Sequence, residues 1–146
     1  KLELALRIGA THVINGSRED VLARILELTD GGADYAFAAA GSSQAYENAI
    51  RCLAVGGLAT MIGVLPEHDR VFPLDGLHLL LERRVQGCGM GSNRFIVDIP
   101  RYVELARQGR LKLGEVISRE LPLEDVNEAL RALKAGEVAR QVLLLN

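Results

Sequence analysis

Aromatic residues and cysteine are scarce in this sequence of 146 residues. Phenylalanine, tyrosine and tryptophan together make up 4% of the chain, tryptophan is absent, and two cysteines occur, Cys52 and Cys88. Two cysteines cannot build a disulfide framework, and their separation is not that of a zinc finger. We therefore expect a chain that folds around an ordinary apolar core in a reducing compartment, the cytoplasm.

The sequence also lacks an excess of one charge and any long apolar run. Lys and Arg number 17 against 19 Asp and Glu, which gives a net charge of −2. This balance argues against a nucleic-acid groove or a polybasic membrane face. No apolar run approaches the roughly 20 residues that a membrane helix needs, and residues 1–5 do not resemble a signal peptide.

What the sequence does contain is a series of apolar runs that alternate with segments of helical periodicity. The predicted strands cover residues 11–15, 33–40, 58–64 and 84–90. The helices are predicted from apolar residues at helical spacing, with starts at a capping box over residues 17–20 and at the serines of 42–43. Strands that are apolar on both faces, separated by amphipathic helices, predict a doubly wound α/β fold with a parallel sheet.

Beyond residue 91 the pattern of the sequence changes. A helix is predicted to start at Asp98, and the elements predicted after it are a strand over residues 116–120, a helix over residues 126–133 and a strand over residues 141–145. We therefore predict two domains, residues 1–91 and residues 92–146.

The usual beginning of a nucleotide-binding fold is not found in this sequence. A complete doubly wound unit begins with a strand and a glycine-rich turn, whereas this sequence begins within a predicted helix. We expect the chain to be the C-terminal part of a larger protein. The first strand, the phosphate loop and the ribose-binding acid would then precede it.

Small residues follow two of the predicted strands. Residues 38–41 are three alanines and a glycine, and Ile62-Gly63-Val64 follows the next apolar run. In open α/β sheets ligands bind beyond the carboxyl ends of the strands, and small residues there leave room for a flat ring. Simple core packing explains the same residues, so both interpretations stay open.

Three further features carry little information by themselves. The glycine-rich run over residues 87–91 lacks the context of a phosphate loop, and it fits either a close approach to a ligand or another chain or a purely structural role. Arg140 is typical of a solvated surface, although a guanidinium there could also bind a phosphate. No histidine lies at metal-ligand spacing or evidently beside a nucleophile.

Taken in order, the motifs of the whole chain resemble the C-terminal portion of the medium-chain, zinc-dependent alcohol dehydrogenases. The resemblance rests on the order and spacing of residues 1–5, 9–15, 32–41, 56–57, 62–64, 87–92, 121–129 and 136–140. Residues 91–95 are similar to the class III-like bacterial branch. One departure is Ala38, where the family usually carries glutamate.

The resemblance implies a partial Rossmann-type domain that binds NAD or NADP, followed by a C-terminal piece of the catalytic domain. It assigns these residues to the cofactor site: Lys1 near the adenosine ribose, Ala39 and Ala40 beside the adenine and ribose, Ile62, Gly63 and Val64 flanking the nicotinamide, the backbone of Cys88 and Met90 at its carboxamide, and Arg140 at the pyrophosphate.

The resemblance also implies what the whole enzyme does. Zinc would polarise the oxygen of a small alcohol or aldehyde substrate, and hydride would pass between carbon and nicotinamide. The family's zinc ligands all lie upstream, so we assign no catalytic and no metal-binding residue to this chain and expect it to be inactive alone. The family further implies a homodimer or higher homo-oligomer, and we expect a dimer in which the edge strand over residues 84–90 pairs with its two-fold mate.

Two alternatives remain open at this point. A zinc-free medium-chain reductase of the quinone reductase type shares the fold, and the upstream cysteines would distinguish it from the zinc enzymes. A non-catalytic nucleotide-binding module is the second alternative, and the departure at Ala38 is the one residue that favours it. A small-molecule substrate is expected in the enzyme interpretations, and neither nucleic acid nor a membrane is expected as a partner.

Overall fold

The computed structural model describes residues 1–145, which form two compact units. The central unit comprises Ile14–Asn93, and the terminal unit comprises Lys1–Val13 together with the chain from Arg94 onward. The predicted division into domains at residue 91 concerns the whole protein and stays a prediction. In chain order the helices and strands are α1 (Leu2–Ile8), α2 (Val21–Leu28), β1 (Ala33–Ala38), α3 (Ser43–Arg51), β2 (Leu53–Met61), α4 (Gly76–Leu80), β3 (Arg84–Gly87), α5 (Phe95–Arg107), β4 (Ile117–Pro122), α6 (Val126–Lys134) and β5 (Arg140–Leu144).

The central unit is built on a parallel sheet of three strands in the order β1-β2-β3. Ala36 of β1 lies opposite Ala59 of β2, which in turn lies opposite Val85 of β3. Ile50 from α3 and Leu53 from β2 are fully buried and form the centre of its core. This mixed α/β architecture with parallel strands confirms the predicted fold class.

The predicted strand over residues 11–15 is wrong, and the central sheet has three strands rather than four. A strand is defined by hydrogen bonds to a neighbouring strand, and within residues 1–145 this segment has no such partner. Its end forms a turn instead. The carbonyl O of Asn15 accepts from the N–H groups of Arg18 and Glu19, and the Asn15 N–H donates to Glu19 Oε1 at 2.7 Å.

Two helices start at other residues than the sequence predicts. Asp20, and not Ser17, caps α2 with its side chain. Helix α5 starts at Phe95 rather than at Asp98, because the Asp98 carboxylate reaches back from the first turn and accepts from the N-cap N–H at 2.7 Å. Pro100 lies inside α5, where it removes one helical hydrogen bond without ending the helix.

The terminal unit contains a second pair of parallel strands, β4 and β5, which are connected through α6. Its buried apolar residues, among those that the structure describes, are Ala129, Ala132 and Val138. Helix α1 lies against the 3₁₀ turn Gly114–Val116. Across residues 1–145 we find no helix with the length and apolarity needed to cross a membrane.

Candidate functional site

The carboxyl ends of the three central strands lie at one edge of the sheet, because the strands are parallel. Strand β1 ends at Ala38, β2 at Met61 and β3 at Gly87. This edge is where open α/β sheets bind ligands. The predicted cofactor residues that follow these strand ends are Ala39, Ala40, Ile62, Gly63, Val64, Cys88 and Met90.

The segments that follow β1 and β2 interlock through their backbones. The N–H groups of Ile62 and Gly63 both donate to the carbonyl O of Ala38, each at 2.9 Å. A Cβ atom added to Gly63 would lie 2.2 Å from the carbonyl O of Ala40, so only glycine fits at this crossing. The two segments therefore pass each other in backbone contact.

Tyr46 holds the second of these segments from helix α3. Its hydroxyl donates to the carbonyl O of Gly63 at 2.7 Å, across 17 residues of sequence. Its ring packs edge-on against Phe72, with the ring centroids 5.3 Å apart. Sequence reasoning missed Tyr46, because nothing in the pattern around it signals a partner in the loop after β2.

A carboxylate also fastens the loop after β2 to the start of α3. Asp69 Oδ2 accepts from the backbone N–H of Ser43 at 2.8 Å. Hydrogen bonding from Ser43 lowers the pKa of Asp69, because it favours the charged carboxylate. The loop is thus held against α3 at two points, by Asp69 at the helix start and by the Tyr46 hydroxyl.

Apolar side chains at this edge of the sheet face solvent. Val64 is 88% exposed, Met90 is 80% exposed and Ile62 is 40% exposed. Small-molecule sites are lined mainly by apolar side chains with a few well-placed polar groups. An apolar face carried on hydrogen-bonded backbone is therefore suited to a flat ligand group.

The segment after β3 has an unusual backbone. Residues 90–92 are all left-handed, with φ of 50° at Met90 and at Ser92, and such strain at residues other than glycine is concentrated at functional sites. Asn93 Nδ2 donates to the carbonyl O of Met90 at 2.7 Å and helps to hold this conformation. The N–H of Cys88 donates to the sheet, to the carbonyl O of Met61 at 3.0 Å, so this N–H is not available to a ligand.

The other two predicted cofactor residues, Lys1 and Arg140, belong to the terminal unit. Lys1 is the exposed residue that precedes α1, and Arg140 is the exposed first residue of β5, opposite Ile117 of β4. Arg140 borders a cavity of about 180 Å³ between α6 and β5. Their roles at a cofactor stay predictions.

Titratable side chains do not gather into a metal site in the part of the chain that the structure describes: no three His, Cys, Asp or Glu side chains lie close enough together. Cys52 is 3% exposed, and burial raises the pKa of its thiol. A buried, protonated thiol is chemically inert, so Cys52 serves as a small core residue. His78 contacts Arg83 beside a cavity of about 280 Å³ in the central unit.

Solved structures with the same fold include two alcohol dehydrogenases. The alcohol dehydrogenase zinc-binding domain protein from Burkholderia ambifaria is 32% identical with a TM-score of 0.91, over 99% of this chain and 39% of that one. The benzyl alcohol dehydrogenase from Acinetobacter calcoaceticus is 29% identical with a TM-score of 0.92, over 99% of this chain and 40% of that one. The partial Rossmann-type fold is therefore that of medium-chain alcohol dehydrogenases.

Sequence comparison leads to the same family. Alcohol dehydrogenase 1 of Trifolium repens is 33% identical over 98% of this chain and 38% of its own length. The NDMA-dependent alcohol dehydrogenase of Amycolatopsis methanolica is 34% identical over 99% of this chain and 40% of its own length, so the chain spans about two fifths of such relatives. A family model described as zinc-binding dehydrogenase matches residues 1–108. The chain belongs to this family, the medium-chain, zinc-dependent alcohol dehydrogenases.

Proposed function

We propose that the chain supplies part of the cofactor site of an NAD(P)-dependent alcohol dehydrogenase. The observation that carries the proposal is the interlocked carboxyl edge of the central sheet, where Gly63 contacts the backbone of Ala40 and apolar side chains face solvent. In the whole enzyme, hydride passes between a small alcohol or aldehyde and the nicotinamide ring. The names of the three relatives cited here, each an alcohol dehydrogenase, support this substrate class.

The groups at this edge fit a nicotinamide dinucleotide. Ile62 and Val64 offer apolar side chains to one face of a flat ring, and Gly63 keeps the backbone between them in place. The carbonyl of Cys88 and the N–H of Met90 are the groups that would bind the carboxamide, since the N–H of Cys88 is already bonded within the sheet. Ala39 and Ala40 present only methyl groups, which leave room for the adenine and ribose.

The terminal unit contributes two cations to the proposal. Lys1 would lie near the adenosine ribose, and Arg140 would bind the pyrophosphate through its guanidinium, whose planar array of donors suits phosphate oxygens. Neither residue chooses between NAD and NADP, because that choice rests on the acid after the second strand of the fold, which has no counterpart in this sequence.

Zinc fits none of the residues that the structure describes. A catalytic zinc needs three protein ligands and an open position, and residues 1–145 offer no cluster of three suitable side chains. We therefore derive no step of the reaction through zinc on this chain. We propose that the zinc ligands lie in the part of the enzyme upstream of these residues.

The test of the proposed function uses the full-length protein. We expect alcohol-dependent reduction of NAD or NADP, followed by the absorbance of the reduced nicotinamide, and loss of that activity when a chelator removes zinc. Activity that survives chelation would favour the zinc-free reductase alternative. Thermal stabilisation by NAD or NADP without any turnover would favour the non-catalytic module.

The chain by itself should bind NAD weakly and be inactive. It lacks the glycine-rich turn and the helix N-terminus that hold the pyrophosphate in a complete nucleotide-binding unit. Isothermal titration of the 146-residue chain with NAD and with NADP measures this. Binding as tight as that of the full-length protein would contradict the proposed division of the site.

We also propose that the full-length enzyme is a homodimer paired through β3. All four residues of this edge strand are exposed, and an uncovered edge is an aggregation hazard. A proline in β3 can test this pairing where it removes an N–H that points away from β2. The Cys88 N–H points to β2, so proline at Cys88 would break the sheet itself. Successive N–H groups of a strand point in opposite directions, so the N–H of Val85 lies on the outer side. Val85→Pro should therefore yield monomer by light scattering, and an unaltered dimer would place the interface elsewhere.

A cytoplasmic location and membership of the class III-like bacterial branch stay predictions.

A further inference from the structure

We propose that Tyr46 is a positioning residue for the nicotinamide ring and acts through the carbonyl of Gly63. The inference rests on the proposed function, because it takes Ile62-Gly63-Val64 as the segment against which the ring lies. Tyr46 itself lies on α3 and has no assigned contact with the cofactor. Its hydroxyl holds this segment in position before the cofactor binds.

The backbone bonds to Ala38 hold the segment at the N–H groups of Ile62 and Gly63, on the side of β2. Strand β2 ends at Met61, so the residues after it are not held by the ladder of the sheet. The N–H of Gly63 is bonded to the carbonyl O of Ala38 at 2.9 Å, and the carbonyl O of Gly63 is bonded to the Tyr46 hydroxyl at 2.7 Å. Tyr46 thus holds the peptide group between Gly63 and Val64. Val64 carries the most exposed side chain of the segment.

Tyr46 is itself held firmly enough to act as an anchor. It lies in the first turn of α3, whose N-cap Ser42 accepts from the N–H of Ala45 at 3.2 Å. Its ring packs against Phe72 at a centroid distance of 5.3 Å and an interplanar angle of 76°. The hydroxyl is therefore presented to Gly63 by a capped helix and a packed ring, with few alternative positions.

A restraint of this kind affects the cofactor by preorganisation. Binding a ring against a mobile segment costs the entropy of ordering that segment, and a segment already held in the bound conformation avoids that cost. Val64 is 88% exposed, so packing within the chain does not hold its side chain in place. The hydrogen bond from Tyr46 should accordingly matter for the nicotinamide half of the dinucleotide and not for the adenosine half.

The experiment removes only the hydroxyl. Tyr46→Phe keeps the ring on Phe72, and the full-length protein is titrated with NADH or NADPH, whichever the wild type binds more tightly, and with ADP-ribose or its 2′-phosphate, which lack nicotinamide. We expect the variant to bind the reduced dinucleotide roughly three- to tenfold more weakly, as loss of one hydrogen bond predicts, and the fragment within about twofold of wild type. The control is Tyr35→Phe, at a side chain that is 66% exposed on β1, and it should change neither affinity.

The outcomes separate this inference from the proposed function. The inference is supported if the wild type binds both ligands and Tyr46→Phe weakens binding of the dinucleotide alone. It is also supported if the emission of the reduced nicotinamide bound to the variant shifts toward that of the free cofactor. An equal loss for both ligands means a purely structural role and overturns it, as does no loss at all. If the wild type binds neither ligand, the proposed function fails and the inference fails with it.

Discussion

The two units of the chain differ in what they bury. In the central unit Ile50 and Leu53 are fully buried, and the sheet packs its apolar residues against α3. In the terminal unit the buried apolar residues are Ala129, Ala132 and Val138, while the leucines of α6 remain at least half exposed. Because apolar burial is the main favourable contribution to folding, the central unit has a core of its own and the terminal unit has a much smaller one.

The units also differ in how their helices begin. Each α-helix of the central unit has a side-chain cap, from Asp20 on α2, Ser42 on α3 and Asp75 on α4. Among the described residues, the N-cap side chains of α1, α5 and α6 in the terminal unit accept no such bond, although Asp98 of α5 accepts from the N-cap N–H of that helix. Caps satisfy N–H groups of the first turn that have no partner within the helix, so the N-cap side chains stabilise the central helices and not the terminal ones. The strand ends of the candidate site thus lie in the unit that has the larger core and the helices with N-cap side chains.

The largest expected effect comes from removing a core side chain of the central unit. Leu53→Ala should lower the free energy of unfolding by about 2–5 kcal/mol, because it leaves a cavity in a packed core. Leu130→Ala, at a leucine of α6 that is 59% exposed, should change it by less than about 0.5 kcal/mol. Urea unfolding of the two variants measures both. Equal losses would show that Leu130 is covered in the protein in solution, and the contrast between the units would fail.

The next largest effect is expected at Gly63, where the segments after β1 and β2 cross. Gly63→Ala puts a methyl group where the carbonyl O of Ala40 lies 2.2 Å away, so the two backbone segments must separate, at a cost of about 1–3 kcal/mol. Dinucleotide binding by the full-length protein should fall with it. The control is Gly114→Ala in the terminal unit, where a Cβ meets no atom within 4 Å. A Gly63→Ala variant with unchanged binding would mean that the interlock does not shape the site.

The strands of the central sheet could be predicted because each is an apolar run between helical segments. The prediction failed where partners decide the structure. Residues 11–15 have the composition of a strand but no neighbour to pair with in the described residues, and β2 starts at Leu53, ahead of Gly56-Gly57, rather than at the predicted Leu58. There the register shifts and Gly56 adopts φ of 77°, so the glycines form an irregularity within the strand.

The gathering of the strand ends at one edge could be predicted, but the contacts that hold the segments after them could not. Parallel strands bring their carboxyl ends together, so a topological rule is enough to gather Ala39, Gly63 and Cys88 at one edge. Tyr46 and Asp69 were missed because their partners, Gly63 and Ser43, are 17 and 26 residues away in sequence and meet them only through the folded loop. Periodicity and capping signals describe neighbours along the chain and contain no information on such contacts.

A smaller effect tests the contrast in helix caps. Ser42→Ala removes the side chain that accepts from the N–H of Ala45 and should cost about 1 kcal/mol. In the terminal unit Arg94→Ser would supply α5 with a cap that its present N-cap residue does not provide, and it should stabilise by up to about 1 kcal/mol. Thermal unfolding followed by circular dichroism measures both. If Ser42→Ala proves neutral, the central helices do not depend on their caps.

The smallest expected effect is a pH-dependent change in stability at two carboxylates, one in each unit. Their pKa values are lowered in the folded protein. Hydrogen bonding from Ser43 lowers the pKa of Asp69, and hydrogen bonding from Arg131 lowers that of Glu128. Each group therefore contributes stability above its unfolded pKa of about 4, and the contribution is lost as the pH falls through the lower folded pKa. Asp69→Asn should accordingly lower the melting temperature at neutral pH, and its effect should fade as the pH falls below the unfolded pKa.

Glu128→Gln is the matched change in the terminal unit. The Glu128–Arg131 pair joins residues three apart on one helix and is exposed, with side chains 47% and 58% accessible, so we expect a smaller shift that added salt weakens further. Asp69 instead joins a loop to α3 across 26 residues, so its loss also loosens the loop that carries the candidate site. Melting temperatures of both variants between neutral and acidic pH, at low and high salt, make the comparison. A larger shift for Glu128→Gln would mean that local ion pairs, and not the long-range contact at Asp69, dominate the electrostatic stability of the chain.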